Sequence, residues 1–473
     1  MTSKPKAQLA PLPRTEILVY WVLSFGSHLY SFYQLHRFSK DHEASLVREF
    51  QLEKGLLKGF KRDPLDFEWS FWTEWAKKSL LWTLIGHGVV SRLTSTFYPK
   101  LRLPALTIYG VLAACSVLGI KGVSLLLVHL SLSFSVAQLR KPALSWAFSL
   151  LLLSTLHIQP LQDIQRRWYK SEEEYYLLLF SVAVCGLRFI SFSLEHCWSP
   201  LSHGGGDVVQ LSWLFSYTFY HPFFYNGPVI TYKDYTEQSD REESALSYFL
   251  LRSVRIILWW CIAEYMIHVM YMHCIQSNET YIEILPPWAL GGLALALVQF
   301  FYVKYLVLFG LPSMLATLDN LVPPQLPRCV SIMYSFTGMW RYIYVPLGGS
   351  RHGALYKMLS TSLAFGFVCL WHGGHDYLQY WALMNWAGVL VENGLKSLFN
   401  FSAVMKRRCI ALLSAFSTAM LILSNLVFLG GIHVGRIFWK RVFIQGWSTI
   451  APPMLAFLYC FAQVGLERTS HPP

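Results

Sequence analysis

The sequence predicts an all-α protein: a polytopic helical bundle with about ten membrane-spanning helices and roughly two or three re-entrant or interfacial pieces. Three observations lead there. Of the 473 residues, 54% are hydrophobic and only 14% are charged, where soluble domains carry near a quarter charged. Mean hydropathy is +0.37. Apolar runs of near-spanning length recur along the whole chain, joined by short basic connections, and no soluble domain of useful size can be cut out.

In chain order those runs are residues 17–35, 80–90, 106–120, 123–136, 143–156, 175–194, 256–272, 288–309, 410–430 and 450–464. They run from 11 to 22 residues, against the roughly 20 that cross a bilayer. Two further stretches, 211–224 and the two sides of His372, are too short or too polar to span simply. Non-helical backbone at membrane depth is tolerated only inside protein or around a cavity, so these pieces point to a site within the bundle. Residues 1–16 hold three prolines and no small-residue cleavage site, so the first run reads as an uncleaved anchor. The whole of 1–473 is expected to form a single membrane-embedded domain.

Between the runs, residues 36–68 place Leu46, Phe50, Leu52, Leu56, Leu57 and Phe60 at amphipathic spacing. With the tryptophan-rich Asp63-Pro64-Leu65-Asp66-Phe67-Glu68-Trp69-Ser70-Phe71-Trp72-Thr73-Glu74-Trp75, this makes 36–75 an interfacial segment. Residues 162–176 read as a loop with an acidic run entering a helix, and 231–243 is a further polar stretch. Asn278-Glu279-Thr280 and Asn400-Phe401-Ser402 fit glycosylation acceptors, a weak match at that length.

Net charge is +12, spread over connections such as Arg140-Lys141, Arg166-Arg167, Lys406-Arg407-Arg408 and Lys440-Arg441. This distribution excludes a nucleic-acid-binding domain and fits contact with the headgroups of membrane lipids, or a basic cavity for an anionic substrate. Charge counting leaves the orientation open. The nine cysteines are odd in number, contain no CxxC and lie mostly in apolar runs, against a disulfide scaffold or a zinc site.

The sharpest feature is Cys369-Leu370-Trp371-His372-Gly373-Gly374-His375-Asp376. An ionisable group at the junction of two apolar stretches is a functional-site candidate, although a neutral histidine packed among helices has the same appearance. The two glycines disfavour a continuing helix and admit close approach. Other candidate pieces are Tyr225-Asn226-Gly227-Pro228, Pro327-Arg328-Cys329, Ser335-Phe336-Thr337-Gly338-Met339-Trp340-Arg341-Tyr342, Pro346-Leu347-Gly348-Gly349-Ser350, and Asn425 inside Ser424-Asn425-Leu426-Val427-Phe428-Leu429-Gly430-Gly431.

Together these resemble the membrane-bound O-acyltransferase (MBOAT) superfamily, and within it the branch that acylates Hedgehog proteins. The resemblance runs over nearly the whole chain. It is carried by Asp66-Phe67-Glu68-Trp69-Ser70-Phe71-Trp72, Arg166-Arg167-Trp168-Tyr169-Lys170, Phe301-Tyr302-Val303-Lys304-Tyr305-Leu306-Val307-Leu308-Phe309-Gly310, Trp371-His372-Gly373-Gly374 and the Asn425 segment. A sister group of acyltransferase-like proteins lacks the histidine, so His372 favours the enzymes proper. The resemblance implies an MBOAT-type bundle in the endoplasmic reticulum membrane. It would transfer palmitoyl from palmitoyl-CoA to the N-terminal cysteine amine of Hedgehog precursor proteins. It also implies His372 as catalytic residue, Trp340 and Asn425 as substrate-binding residues, and Cys329 as the thiolate ligand of haem b. From the residues alone, Cys329 reads as a packed cysteine and Asn425 as an interhelical hydrogen bonder.

The match breaks after Met339-Trp340. The family pattern there has about a dozen more residues, including an aspartate between two Arg-Tyr pairs. This chain keeps one pair, Arg341-Tyr342, followed by Ile343-Tyr344-Val345-Pro346. As helix the loss is about 18 Å. The acidic partner of the histidine is thereby missing, and a second gap falls near residues 393–408. Asp376 stands four residues after His372, which on a continuous helix is one face; Asp319 and Glu392 are further substitutes. Two readings follow: an active acyltransferase, or an impaired variant that still binds acyl-CoA or Hedgehog precursor. A transporter, which also uses broken helices, is disfavoured by the matched words and the lack of repeat symmetry.

Overall fold

The computed structural model describes residues 10–198, 206–238, 246–327, 329–344, 354–398 and 402–470. Helix dominates; the strands among the described residues are one short antiparallel pair, Glu53–Lys54 with Lys61–Arg62. The chain divides into two compact units interleaved in sequence. One takes in Met1–Asp66, Ala263–Tyr302 and Arg328–Pro473; the other takes in Phe67–Ile262 and Val303–Pro327.

Among the described residues, four helices are long and apolar enough to cross a membrane: Pro99–Ala137, Glu172–Trp198, Pro287–Leu318 and Ala403–Gln445. The bent pair Pro142–His157 and Gln159–Arg166 raises the number to five if it counts as one span. The sequence led us to expect about ten. Part of the difference is that adjacent apolar runs share one element: 106–120 and 123–136 both lie in Arg102–Ala137, which breaks at Gly119. Others fall in shorter helices, as most of 80–90 does in the 17-residue Leu81–Phe97. The expected amphipathic segment is also built of several pieces. The first helix runs on to Asp41, Glu43–Phe50 follows, then the strand pair, then Phe67–Trp75. A left-handed Gln51 and Gly59 make the breaks.

Both kinked helices handle the break in the same way. Gly119 (φ 68°) interrupts Arg102–Ala137, and the carbonyl of Leu118 accepts the hydroxyl of Tyr169 at 2.8 Å. Gly431 (φ 84°) interrupts Ala403–Trp439, and the carbonyl of Leu429 accepts Nε2 of Gln276 at 2.8 Å. A positive φ is open to glycine at little steric cost, and a carbonyl freed in an apolar interior needs a donor.

In the unit containing Phe67–Ile262, two matched sequence words meet. Glu68 pairs with Lys304 Nζ at 2.9 Å and accepts the Tyr305 hydroxyl at 2.9 Å. Arg188, 1% exposed, donates to the carbonyls of Tyr217, Thr218 and Phe223, fixing the turn that leads into Tyr225-Asn226-Gly227-Pro228. Asp319 is buried and saturated: His87 Nε2 (2.8 Å), the Tyr220 hydroxyl (2.5 Å), Arg102 (3.4 Å) and the Ser91 hydroxyl all reach its carboxylate.

In the other unit, Asp63 accepts N–H groups of His273 (2.8 Å), Cys274 (3.2 Å) and Leu65 (3.1 Å), and the Cys274 thiol at 3.1 Å. It thus ties the 53–66 segment to the start of the Met272–Ser277 helix. Asn278 caps the next short helix: its Oδ1 accepts Thr280 N–H and its Nδ2 donates to Glu49. Burial raises the Asp63 carboxyl, but the His273 imidazole 3.5 Å away and the N–H donors outweigh it and hold the group below the usual aspartate range. A depressed folded-state pKa gives stability that is full above the unfolded value and is lost as pH falls through the folded one. Asp63→Asn is therefore expected to destabilise by about 1.5–3 kcal/mol at neutral pH. The deficit should shrink below about pH 4. Thermal unfolding in detergent at the two pH values checks it.

Candidate active site

His372 stands at the end of the Ala354–Trp371 helix, its N–H still bonded to Val368 O at 3.0 Å. The next two residues take φ of 112° (Gly373) and 68° (Gly374), and Gly374 N–H returns to Cys369 O at 2.9 Å. The chain turns there and a new helix, Asp376–Leu398, begins. A side chain at either glycine would meet the left-handed penalty.

The imidazole is exposed and sits edge-on to Phe428 (ring centroids 5.5 Å, 86°) and to Trp371 (4.7 Å, 83°). No hydrogen bond reaches its ring among the described residues. From Phe428 the aromatic contacts continue to Trp381 (5.2 Å), then to Trp340 (5.4 Å), with Phe365 against both tryptophans. Trp340 Nε1 donates to Asn385 Oδ1 at 2.7 Å, and Asn385 Nδ2 donates to Trp381 O at 2.7 Å. Three helices are joined in this way: Phe336–Tyr344 through Trp340, Asp376–Leu398 through Trp381 and Asn385, and Ala403–Trp439 through Phe428.

His372 and Trp340 are therefore linked through two rings. Asn425 lies one helical turn before Phe428 and lines a cavity of about 60 Å³ with Met339, Thr418, Gln299, His28 and Val330. Among the described residues it makes no hydrogen bond with the histidine ring. Cys329 is half-buried, just before the turn Val330–Ile332, and takes no part in the ring contacts. For the haem expected there, the residues do not fit. The cavity beside Val330 is far below the roughly 300–1,000 Å³ of a cofactor pocket. No group of three His, Cys, Asp or Glu side chains suited to a metal ion occurs among the described residues.

None of the three substitute carboxylates is a partner of His372. Asp376 does not share a helix face with it, because the left-handed glycines separate the two helices. Asp319 is taken up by His87, Ser91, Arg102 and Tyr220. Glu392 accepts the N–H of Phe336 at 2.8 Å, an anion at a helix start. Pro346-Leu347-Gly348-Gly349-Ser350 and Asn400-Phe401 lie outside the described residues, and the backbone of Arg341-Tyr342 continues the 336–344 helix.

Sequence reasoning missed Asn385, which is 0% exposed. The signal was present: like Asn425, it is an asparagine in a largely apolar stretch of helix, and it stands four residues after Trp381.

The arrangement is thus an unbonded imidazole at a helix break, set against aromatic rings in an apolar helical protein. The membrane-bound O-acyltransferase family model matches residues 134–432, and the chain belongs to that family. It is 46% identical over 489 aligned positions to the protein-cysteine N-palmitoyltransferase HHAT of Mus musculus, covering 96% of this chain and 98% of the relative. It is 27% identical to the mouse HHAT-like protein (97% and 95% covered) and 26% identical to Rasp of Drosophila melanogaster (76% and 77% covered). The 489 aligned positions outnumber the 473 residues, so stretches of the mouse relative have no counterpart here.

Loss of the Asn385 acceptor should leave the Trp340 indole unpaired. Asn385→Leu is expected to lower stability by about 1–3 kcal/mol and to raise KM for an acyl donor more than it lowers kcat. Asn385→Asp, which keeps the acceptor, should restore KM. Steady-state kinetics of both variants checks it.

Proposed function

We propose that this chain transfers palmitoyl from palmitoyl-CoA to the α-amino group of the N-terminal cysteine of Hedgehog precursor proteins, as a multi-pass protein of the endoplasmic reticulum membrane. The observation that carries the reading is His372: an imidazole whose nitrogens are unbonded among the described residues, fixed by two aromatic edges, inside the region that matches the family. The likeness to a mouse protein-cysteine N-palmitoyltransferase over nearly the full length of both chains supports the substrate class.

The chemistry needs little from the protein. A thioester is an activated acyl group, and an α-amino group has a reference pKa near 7.7–8.0, so a fraction of it is neutral at physiological pH. As nitrogen attacks the thioester carbonyl, His372 takes the amine proton. The tetrahedral oxyanion then collapses, the carbon–sulfur bond breaks, and CoA leaves as a thiol on receiving the proton. Asn425 is the proposed oxyanion donor, and Trp340 the proposed wall of the acyl-CoA cavity, held in place by Asn385. No step of the transfer passes through Cys329.

The alternative, a variant that binds acyl-CoA or Hedgehog precursor without turning over, is not favoured by the near full-length likeness to HHAT, and one observation bears on it. His372 has no carboxylate partner among the described residues. A partner carboxylate holds the imidazole in one tautomer and stabilises its cation, so its loss slows the step without abolishing it.

His372→Ala is expected to lower transfer from palmitoyl-CoA to a Hedgehog N-terminal peptide by roughly 100- to 10,000-fold. Unchanged turnover would remove the histidine from the reaction. The same assay on a chain with the missing family segment restored should give faster transfer than the parent. Activity in the restored chain alone would establish the non-catalytic reading for this sequence.

A further inference from the structure

A second cavity lies wholly within the Phe67–Ile262 and Val303–Pro327 unit and belongs to none of the chemistry above. Its volume is about 310 Å³, and its walls are Trp69, Trp72, Trp260 and Leu311, with Lys77 and Asn226 among the lining residues. That is the lower end of the range for small-molecule pockets. Two buried donors on this wall, Trp72 Nε1 and Asn226 Nδ2, find no acceptor among the described residues. Trp72 is 1% exposed. Buried indole N–H groups ordinarily find a partner, and each that does not asks for an explanation.

The third donor is cationic. Lys77 is exposed and has no ion pair among the described residues, whereas its neighbour Lys78 is held by Glu74 at 2.6 Å. Lys77 sits in the π-helical turn Ala76–Leu80 that follows the tryptophan-rich helix. Single π turns are rare and gather at functional positions. The walls of this apolar cavity thus include an indole, a carboxamide and an ammonium-bearing side chain. The chemical complement is an amphiphile with an apolar chain and an anionic head rich in acceptor oxygens.

We propose that this cavity is a binding site for an anionic phospholipid of the surrounding bilayer. One acyl chain lies between Trp69, Trp72, Trp260 and Leu311. The ester and phosphate oxygens accept from Trp72, Asn226 and Lys77. The site is separate from the aromatic walls of His372, and its occupant is a lipid of the membrane rather than the acyl donor.

The test is photo-crosslinking on the full-length chain in detergent, with phosphatidylglycerol carrying a diazirine in one acyl chain. The phosphatidylcholine of the same chains serves as the neutral counterpart. The expected adducts map to residues 69–80, 256–260 and 307–312. One lysine near the surface is worth roughly a five-fold preference for the anionic lipid. Lys77→Gln, an exposed change that leaves the fold intact, should remove that preference and leave palmitoyl transfer unchanged. Ala76→Trp should fill the cavity and abolish the adducts. Equal capture of the two lipids by the parent chain, adducts confined to other peptides, or no adduct at all would overturn the proposal. So would competition by palmitoyl-CoA, which would make the cavity part of the donor path.

Discussion

A backbone carbonyl released inside hydrocarbon has no water to turn to, and the architecture of this protein is organised around that constraint. Two long helices break at glycines of positive φ, and at each break a side chain from elsewhere in sequence, Tyr169 or Gln276, donates to the freed carbonyl. Arg188 does the same for three carbonyls at once near the Tyr225-Asn226 turn. Asp63 meets the converse need, accepting the N–H groups that begin a short helix. Breaks are thus fixed points, and the site is built at one of them, where Gly373 and Gly374 end one helix and His372 is left at its tip.

What the sequence made legible follows from this. Hydrophobic composition and period fixed the helical membrane class, and the glycine pair after His372 announced the helix end. The count of spans was less legible, because periodicity cannot tell two spans from one helix broken at a glycine, as at Gly119. The pieces of the amphipathic stretch were less legible for a similar reason: spacing alone does not show that Gln51 and Gly59 adopt positive φ and that a strand pair follows the helix. The grouping of His372 with Trp340 was legible only through resemblance. The rings that join them, Phe428 and Trp381, are ordinary apolar residues in sequence, and their role exists only in three dimensions. Asn385 carried the same local cue as Asn425 and differs only in what lies opposite.

The missing acid is the chemical question that the geometry sharpens. Spacing made Asp376 an attractive substitute, but spacing on a helix means nothing across two left-handed residues. Asp319 and Glu392 are committed to buried hydrogen bonds of their own, and removing either would leave unpaired donors in an apolar interior. Among the described residues the His372 imidazole is oriented by ring edges, a weaker restraint on tautomer than a carboxylate. In the proposed transfer, an amine near its own pKa asks less of its base.

The Glu68 pairing has a consequence for how the chain is made. Glu68 and Tyr305 are 237 residues apart, and Lys304 adjoins Tyr305. At a synthesis rate of roughly 5–20 residues per second, the carboxylate leaves the ribosome on the order of tens of seconds before its partners. During that interval the tryptophan-rich helix has no cation waiting for it in the lipid. Its aromatic packing on Tyr176, Phe180 and Tyr225 involves residues made earlier. The ion pair is therefore among the later contacts to close, once residues 304 and 305 have been translated.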